Sequence, residues 1–511
     1  MLCSVIYSST SPPLSFRFHS NQSSAAAPVP VDTEIRNTQS CSSSTQFSIS
    51  AYNSLLRAET HAGRPNQAVL LFHRMFADDA LPPNRFTFPT VLKACAHLPA
   101  VAEGEQIHSL FLKSHFAPSD DVFVLTSLVY FYSRCGRLKD ARLLFDQLPH
   151  TNVASWNAML DGYVRSGDLD SAYKLFDEMP YKNVISWNTL ISGCVRNGWA
   201  WEALKLFLDF QISGMKADES TMASFIAAVA DLGLLYLGRM AHAHVTRSLF
   251  SSNGALGVAF IDMYAKCGSI KSAYNVFTTI ESKNIRHWTS MIAGFASHGS
   301  AYSALQLFDK MMNSGTMPND ITFIAVLNAC SHGGLVYEGL ECFKLMKTYK
   351  VEPGVKHYGC LVDLLGRAGL VDGAMEIVRD MPVEPTSVIW CSLLAACRNY
   401  GYAEVADVVA GKLIELDSNK GSSFVLLSNL YGGLGRLEDF GGVRKAMADR
   451  AVTKVAGFSW IEIDGQVHEF VCGDMLHFRR GEIYGVLEEM RSYLGWQQGS
   501  DSLGNYSLSI Q

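Results

Sequence analysis

The sequence predicts an all-α solenoid of stacked helix–turn–helix repeats with a short β-hairpin near its C-terminus. Three observations carry this reading. The 511 residues exceed what one hydrophobic core usually organises. Eight segments superpose without gaps through their first 24 positions, so the chain repeats itself. After residue 456 the apolar residues switch from helical spacing to alternation. Composition is ordinary for a folded protein, with 48% hydrophobic and 18% charged residues, which excludes a collagen-like or wholly disordered chain.

The first 48 residues stand apart. They are rich in Ser, contain Pro12, Pro13, Pro28 and Pro30, have Arg17 as their first basic residue, and carry no acidic residue before Asp32. This suits an organelle transit peptide, the alternative being a disordered tail. A secretory signal fits worse, because the opening apolar patch is short and interrupted by Ser and Thr.

The repeat occupies 49–386. Segments beginning at Ile49, Val122, Val153, Val184, Gly254, Ile285, Asp320 and Val355 align Gly63, Gly136, Gly167, Gly198, Gly268, Gly299, Gly334 and Gly369 at position 15. Position 20 holds Ala, or Gly in Gly339, and position 24 holds Phe, or Val in Val378. Glycine suits a left-handed turn between two helices. Alanine is the small contact where the helices cross, and phenylalanine fills the space beside it. Each hairpin leaves an apolar face that only its neighbours can cover, so stacking follows.

Two further segments, Arg85 to Asp121 and Glu219 to Asn253, keep the length but depart from the columns, with His108 and His242 in place of Phe. They read as a second repeat flavour. The units are therefore 49–84, 85–121, 122–152, 153–183, 184–218, 219–253, 254–284, 285–319, 320–354 and 355–386. Their lengths are mostly 31 or 35, and the difference falls in the loop after the second helix, where insertion costs little.

Net charge is -6, so no global basic field draws the chain to nucleic acid or anionic lipid, and any such binding must be local. The 12 cysteines never form Cys-x-x-Cys and sit mostly in apolar helical patterns, as expected of reduced core residues. The most apolar stretch, Met222 to Gly238, is broken by Asp231 and falls short of the ~20 apolar residues a span needs, so no membrane partner is expected.

"VASWNAMLDGYVRSGDLDSAYKLFDEMPYKN" (153–183) and "FIDMYAKCGSIKSAYNVF" (260–277) resemble the plant pentatricopeptide repeat family, in the subclass that mixes standard, long and short units. Tetratricopeptide units share the period, but their Trp, Leu-Gly and Tyr columns are absent. The resemblance covers about 49–490 and implies a right-handed superhelix. Residues 387–454 resemble the family's two E-motif hairpins. Residues 455–496, with strand-like alternation around Asp464-Gly465, resemble the start of its E-plus region, although His477-Phe478 stands where the family has His-Pro. A disordered tail is expected over 497–511.

The family reads single-stranded RNA one base per unit with two or three side chains. Position 5 of each unit and its last residue supply the short amide, carboxylate and hydroxyl groups this needs. By resemblance, Asn53 with Asn84 implies a pyrimidine, Thr126 with Asn152 an A, Asn157 with Asn183 a pyrimidine, Asn188 with Asp218 a U and Thr289 with Asn319 an A. The other pairs carry no reading, giving 5'-Y-n-A-Y-U-n-n-A-n-n. Position-2 residues such as Phe86, Phe123, Ala154 and Ile185 would flank the bases, with Arg286 and Lys356 replacing them elsewhere. The competing explanation for a position-5 Asn is that it caps a helix.

No catalytic residue, metal or cofactor is expected. The family's cytidine deaminase domain needs His-x-Glu and Cys-x-x-Cys to activate a zinc-bound water, and neither occurs. His468-Glu469 are adjacent and face opposite ways in a strand. The chain ends at Gln511 without room for that domain. The resemblance implies a C-to-U editing specificity factor in a mitochondrion or chloroplast, recruiting a deaminase-bearing family member or other editing cofactors in trans through its E region. "RFHS" at 17–20 resembles a mitochondrial matrix cleavage site. Alternatives are an organellar RNA stability, splicing or translation factor, and a protein-binding helical scaffold.

Overall fold

The computed structural model describes residues 48–78, 81–114, 121–248, 253–416, 421–450, 452, 457–463, 466–471 and 477–493. The expected transit peptide, the tail and the Asp464-Gly465 turn lie outside them. Among the described residues there are 25 α-helices and one two-stranded sheet, so the all-α hairpin architecture and the short β-hairpin are both present. No described helix is long and apolar enough to cross a membrane.

The chain forms two compact units, Met1–Val91 and Leu92–Gln511. In the first, helices Ile49–His61 and Pro65–His73 pair around buried Leu56, Ala68 and Phe72. In the second, first helices such as Val122–Arg134, Val153–Ser166 and Val184–Arg196 pack side by side, each also packing on its own second helix. The turn glycine has the geometry its column predicts: Gly167 ends its helix at φ 80°, a left-handed conformation that costs other residues about 1 kcal/mol or more.

The small and large columns are buried. Ala172, Ala203, Ala273 and Ala304 are fully enclosed, and Phe145, Phe176, Phe207, Phe277 and Phe308 lie in the core. Several of these rings meet the indole that opens the next unit edge to face, as in Phe176–Trp187 at 4.8 Å and Phe277–Trp288 at 5.0 Å.

The 85–121 and 219–253 segments depart from the columns in residue type only. Gly104 and Gly238 occupy the alanine position because the next unit presents a larger group there. A Cβ would stand 2.0 Å from Phe131 at residue 104 and 2.4 Å from Met263 Sδ at residue 238. The histidines in the phenylalanine column pair with a tyrosine of the following unit, His108 Nδ1 lying 2.9 Å from Tyr132 Oη and His242 Nδ1 3.0 Å from Tyr264 Oη. A polar pair thus replaces an apolar plug without leaving either group unpartnered.

Carbonyls at first-helix ends, which accept the turn glycine's N–H, are also bonded by a side chain of the next unit. Asn197 Nδ2 donates to Val164 O at 3.0 Å, and His298 Nε2 lies 2.8 Å from Ala265 O. After the repeats come hairpins Ser387–Tyr400 with Ala403–Leu416, and Gly421–Gly433 with Leu437–Asp449.

Strands β1 (Phe458–Ile463) and β2 (Gln466–Val471) pair antiparallel, with Trp460 opposite Glu469. This hairpin docks on the turn of the 219–253 unit. Trp460 Nε1 donates to Leu232 O at 2.6 Å, and Glu462 Oε2 accepts from the Tyr236 N–H at 3.1 Å. One contact captures a carbonyl at a helix C-terminus; the other places a carboxylate at a helix N-terminus, where the dipole favours it. Helix Arg480–Tyr493 follows, an element the alternation pattern did not predict.

Candidate nucleic-acid interface

The paired positions come together because the last residue of a unit is the N-cap of the next unit's first helix. Asn183 Oδ1 accepts from the Ser186 N–H at 3.0 Å, Asp218 Oδ1 from Thr221 N–H at 2.8 Å, and Asn319 Oδ1 from Thr322 N–H at 3.0 Å. Asn152 caps in the same way through Ser155. The cap therefore belongs to the last residue. The position-5 residues lie inside their helices, which removes the capping explanation for them.

Three of the five expected pairs are joined directly. Asn53 Nδ2 donates to Asn84 Oδ1 at 3.1 Å, Asn157 Nδ2 to Asn183 Oδ1 at 3.4 Å, and Asn188 Nδ2 to Asp218 Oδ1 at 3.0 Å. Thr289 is linked to Asn319 through Thr322, its hydroxyl lying 2.9 Å from Thr322 Oγ1 and that hydroxyl 2.9 Å from Asn319 Oδ1. No hydrogen bond joins Thr126 to Asn152 among the described residues.

Among the position-5 side chains Asn188 and Thr289 are each 9% exposed, set in the seam between successive first helices, and Asn53, Thr126 and Asn157 are half-buried. The reason is the cap itself, which draws the first turn of the next unit over them. Thr126 Oγ1, Asn157 Oδ1 and Asn188 Oδ1 are buried there without a hydrogen-bond partner. Of the last residues, Asn183 and Asp218 are exposed and Asn84, Asn152 and Asn319 half-buried.

Because one side-chain oxygen of the last residue is committed to the cap, its other polar atom decides what it offers. Asn183 has an amide left, a donor; Asp218 has a second carboxylate oxygen, an acceptor. Burial alone would raise the Asp218 carboxyl, but bonds from Thr221 and Asn188 outweigh it and hold the group below the usual aspartate range. It is therefore ionised at neutral pH. The position-2 residues Phe86, Phe123 and Ile185 are exposed apolar side chains at 59%, 70% and 61%.

The sequence reading missed the third residue of each unit. Thr87, Ser155, Ser186, Thr221 and Thr322 are fully buried and complete the capping boxes. Their signal was present as a Ser or Thr three residues after Asn84, Asn152, Asn183, Asp218 and Asn319. His468, in contrast, faces His477, its Nδ1 lying 3.3 Å from Nε2 there, and no described cluster of three metal-ligating side chains exists.

The chain matches the PPR repeat family model at 151–184 and 283–332 and the PPR repeat model at 123–150, 185–215, 321–351 and 356–384. The pentatricopeptide repeat domain model matches 42–97, and the E motif model 400–462. The pentatricopeptide repeat-containing protein At5g48910 of Arabidopsis thaliana is 41% identical over 461 residues, covering 87% of this chain and 71% of the relative.

This chain belongs to the pentatricopeptide repeat family.

A second Arabidopsis thaliana member, At1g59720, named chloroplastic/mitochondrial, is 37% identical and covers 86% of this pentatricopeptide repeat chain and 66% of its own. The solved maize pentatricopeptide repeat protein PPR10 is 18% identical with a TM-score of 0.46, covering 80% of this chain and 65% of that one.

Proposed function

We propose that this pentatricopeptide repeat protein binds single-stranded RNA sequence-specifically in a plant organelle and selects a cytidine for C-to-U editing, with a deaminase supplied in trans. The reading rests on one observation above others: Asn157–Asn183 and Asn188–Asp218 are hydrogen-bonded pairs in register in two successive units, and Asn53–Asn84 makes the same pair in the first unit. A capping oxygen held inward leaves one defined donor or acceptor per unit for a base edge. An Asn offers N–H to the ring nitrogen of C or A; an Asp accepts from the ring N–H of U or G.

Five readable positions at ~1 to 3 kcal/mol each suffice to choose one site in a small organellar transcriptome. The E motif match at 400–462 supports the editing part of the reading, because the family resemblance implies that this region recruits a deaminase. The long-and-short unit subclass and the reading of 455–496 as an E-plus-like docking segment belong to the same proposal.

The test has two stages. Purified full chain should bind 5'-Y-n-A-Y-U-n-n-A-n-n RNA saturably and in preference to scrambled RNA; sequence-independent binding ends the proposal and favours a protein scaffold. A null line should then lose C-to-U conversion at specific organellar cytidines. Unaltered conversion in mitochondria and plastids, with binding intact, would leave an RNA stability, splicing or translation factor.

A further inference from the structure

The residue at position 3 of each unit tracks position 5 of the unit before it. Where position 5 is polar (Asn53, Thr126, Asn157, Asn188, Thr289), the next unit carries a buried hydroxyl at position 3: Thr87, Ser155, Ser186, Thr221 and Thr322 respectively. Where position 5 is Val258 or Ile324, position 3 is instead His287 or His357, and after Ala223 and Gly359 it is Leu256 and Ile389. The capping box uses this side chain, which accepts the backbone N–H of the capping residue, but His287 and His357 close the same box where position 5 is apolar, so capping alone does not require a hydroxyl there.

The five hydroxyls divide by where they point. Thr87 Oγ1 lies 2.8 Å from Asn53 Oδ1 as well as 3.1 Å from Asn84 Oδ1, and Thr322 Oγ1 lies 2.9 Å from Thr289 Oγ1 as well as 2.9 Å from Asn319 Oδ1, so in these two units the position-5 oxygen has a hydroxyl partner besides the cap. Ser155 Oγ donates to Asn152 O, Ser186 Oγ to Asn183 Oδ1 and Thr221 Oγ1 to Asp218 Oδ1, at 2.8, 2.9 and 2.9 Å. In those units Thr126 Oγ1, Asn157 Oδ1 and Asn188 Oδ1 are left buried and unpartnered. A buried acceptor without a donor is costly, and the cost is relieved only by a partner of the right chemistry.

We propose that the position-3 hydroxyl is a positioning residue that sets how strongly each unit discriminates, so that the three consecutive open units spanning 122–218 dominate sequence selection while 49–84 and 285–319 tolerate mismatches. This rests on the RNA reading above. Binding that parts the seam lets a base with a donor satisfy the stranded oxygen of an open unit, and a wrong base leaves it stranded. In a closed unit the oxygen already has its partner, so right and wrong bases differ less.

Single-nucleotide mismatches scanned along the target, with the full chain and competition binding, test this. Mismatches facing 122–152, 153–183 and 184–218 should each weaken binding by about fivefold or more, the low end of a base-edge contact, and those facing 49–84 and 285–319 by about twofold or less. Thr87→Val, which removes the donor to Asn53, should raise the mismatch penalty at the first nucleotide alone, and Thr87→Ser should restore the wild-type value. Should the Val variant fail to fold, Thr322→Val and Thr322→Ser supply the same comparison at the 285–319 unit. Equal penalties at all five positions overturn the proposal. So does a Val variant that binds every RNA equally more weakly, the mark of a hydroxyl that merely supports the cap. A wild-type protein insensitive to every mismatch instead overturns the RNA reading itself.

Discussion

Asn188 and Asp218, 30 residues apart in sequence, share a hydrogen bond of 3.0 Å in which the Asn188 amide donates to the oxygen that also caps the following helix. The second Asp218 oxygen is thereby the acceptor this unit offers. Asp218→Asn keeps the cap and turns that acceptor into a donor. Base preference at the facing nucleotide should move from U towards C by about fivefold or more in competition binding, with thermal stability little changed. Asn188→Thr, which shortens the inner partner, should move it from U to G. Unchanged preferences in both variants would show that the pair does not face a base.

Close approach between first helices predicts an asymmetry between two glycines. A Cβ on Gly193 would stand 2.1 Å from Val164 Cγ1, whereas one on Gly411 meets nothing within 4 Å. Gly193→Ala should destabilise by roughly 1–3 kcal/mol through overpacking, despite better helix propensity. Gly411→Ala, inside Ala403–Leu416, should be neutral or stabilising by up to about 1 kcal/mol. Denaturant unfolding of the two variants checks the pair.

The protein should lose stability in mild acid through a buried imidazole. His287 Nδ1 accepts from the Asn284 N–H at 3.1 Å and its Nε2 lies 3.2 Å from Gly254 O, an arrangement that needs the neutral ring. Burial lowers its pKa; the Gly254 carbonyl opposes this, while Arg286 and Lys283 add to it. Burial also lowers those of His108 and His242. A lowered folded-state value means the stability is fully present above the unfolded pKa of about 6.5 and is lost as pH falls through the folded value. Melting temperature should therefore drop from pH 7 to pH 5, and His287→Thr, the residue type used by Thr221 and Thr322, should shallow that drop. An identical slope in the variant would exclude His287 as a contributor.

The docked hairpin should be separable from the array. Trp460→Ala removes the donor to Leu232 O, a bond with a net worth of about 0.5–1.5 kcal/mol besides the ring's packing. Amide exchange at Tyr236, whose N–H is held by Glu462, should accelerate while exchange in Val122–Arg134 stays slow. Unaltered exchange at Tyr236 would show that Glu462 holds its place without Trp460.

Most of the architecture was readable because repetition amplifies weak local signals. One glycine before an apolar run says little, but Gly136, Gly167 and Gly198 in one column identify a turn, and the same register aligns Asn157 with Asn188. What escaped depends on neighbours that a single unit does not contain. Gly104 looks like a lost alanine until Phe131 is seen against it, and the burial of Asn188 follows from the next unit's first turn. Trp460 carries no sequence hint of Leu232, which lies 228 residues away. The position-3 hydroxyls were legible as capping boxes, but the link of Thr87 to Asn53 required the side chains in place.

The shared oxygen at the end of units such as 153–183 and 184–218 also limits how such a molecule can diversify. A residue there must terminate one brick, start the next and face outward, and few side chains meet all three demands. Asparagine and aspartate do, with nearly the same shape and opposite hydrogen-bonding character at the exposed atom. On the RNA reading proposed above, re-addressing the protein to a new target is confined at these sites to exchanging amide for carboxylate, and larger vocabulary has to be written at the inner partner, where no helix depends on the letter chosen.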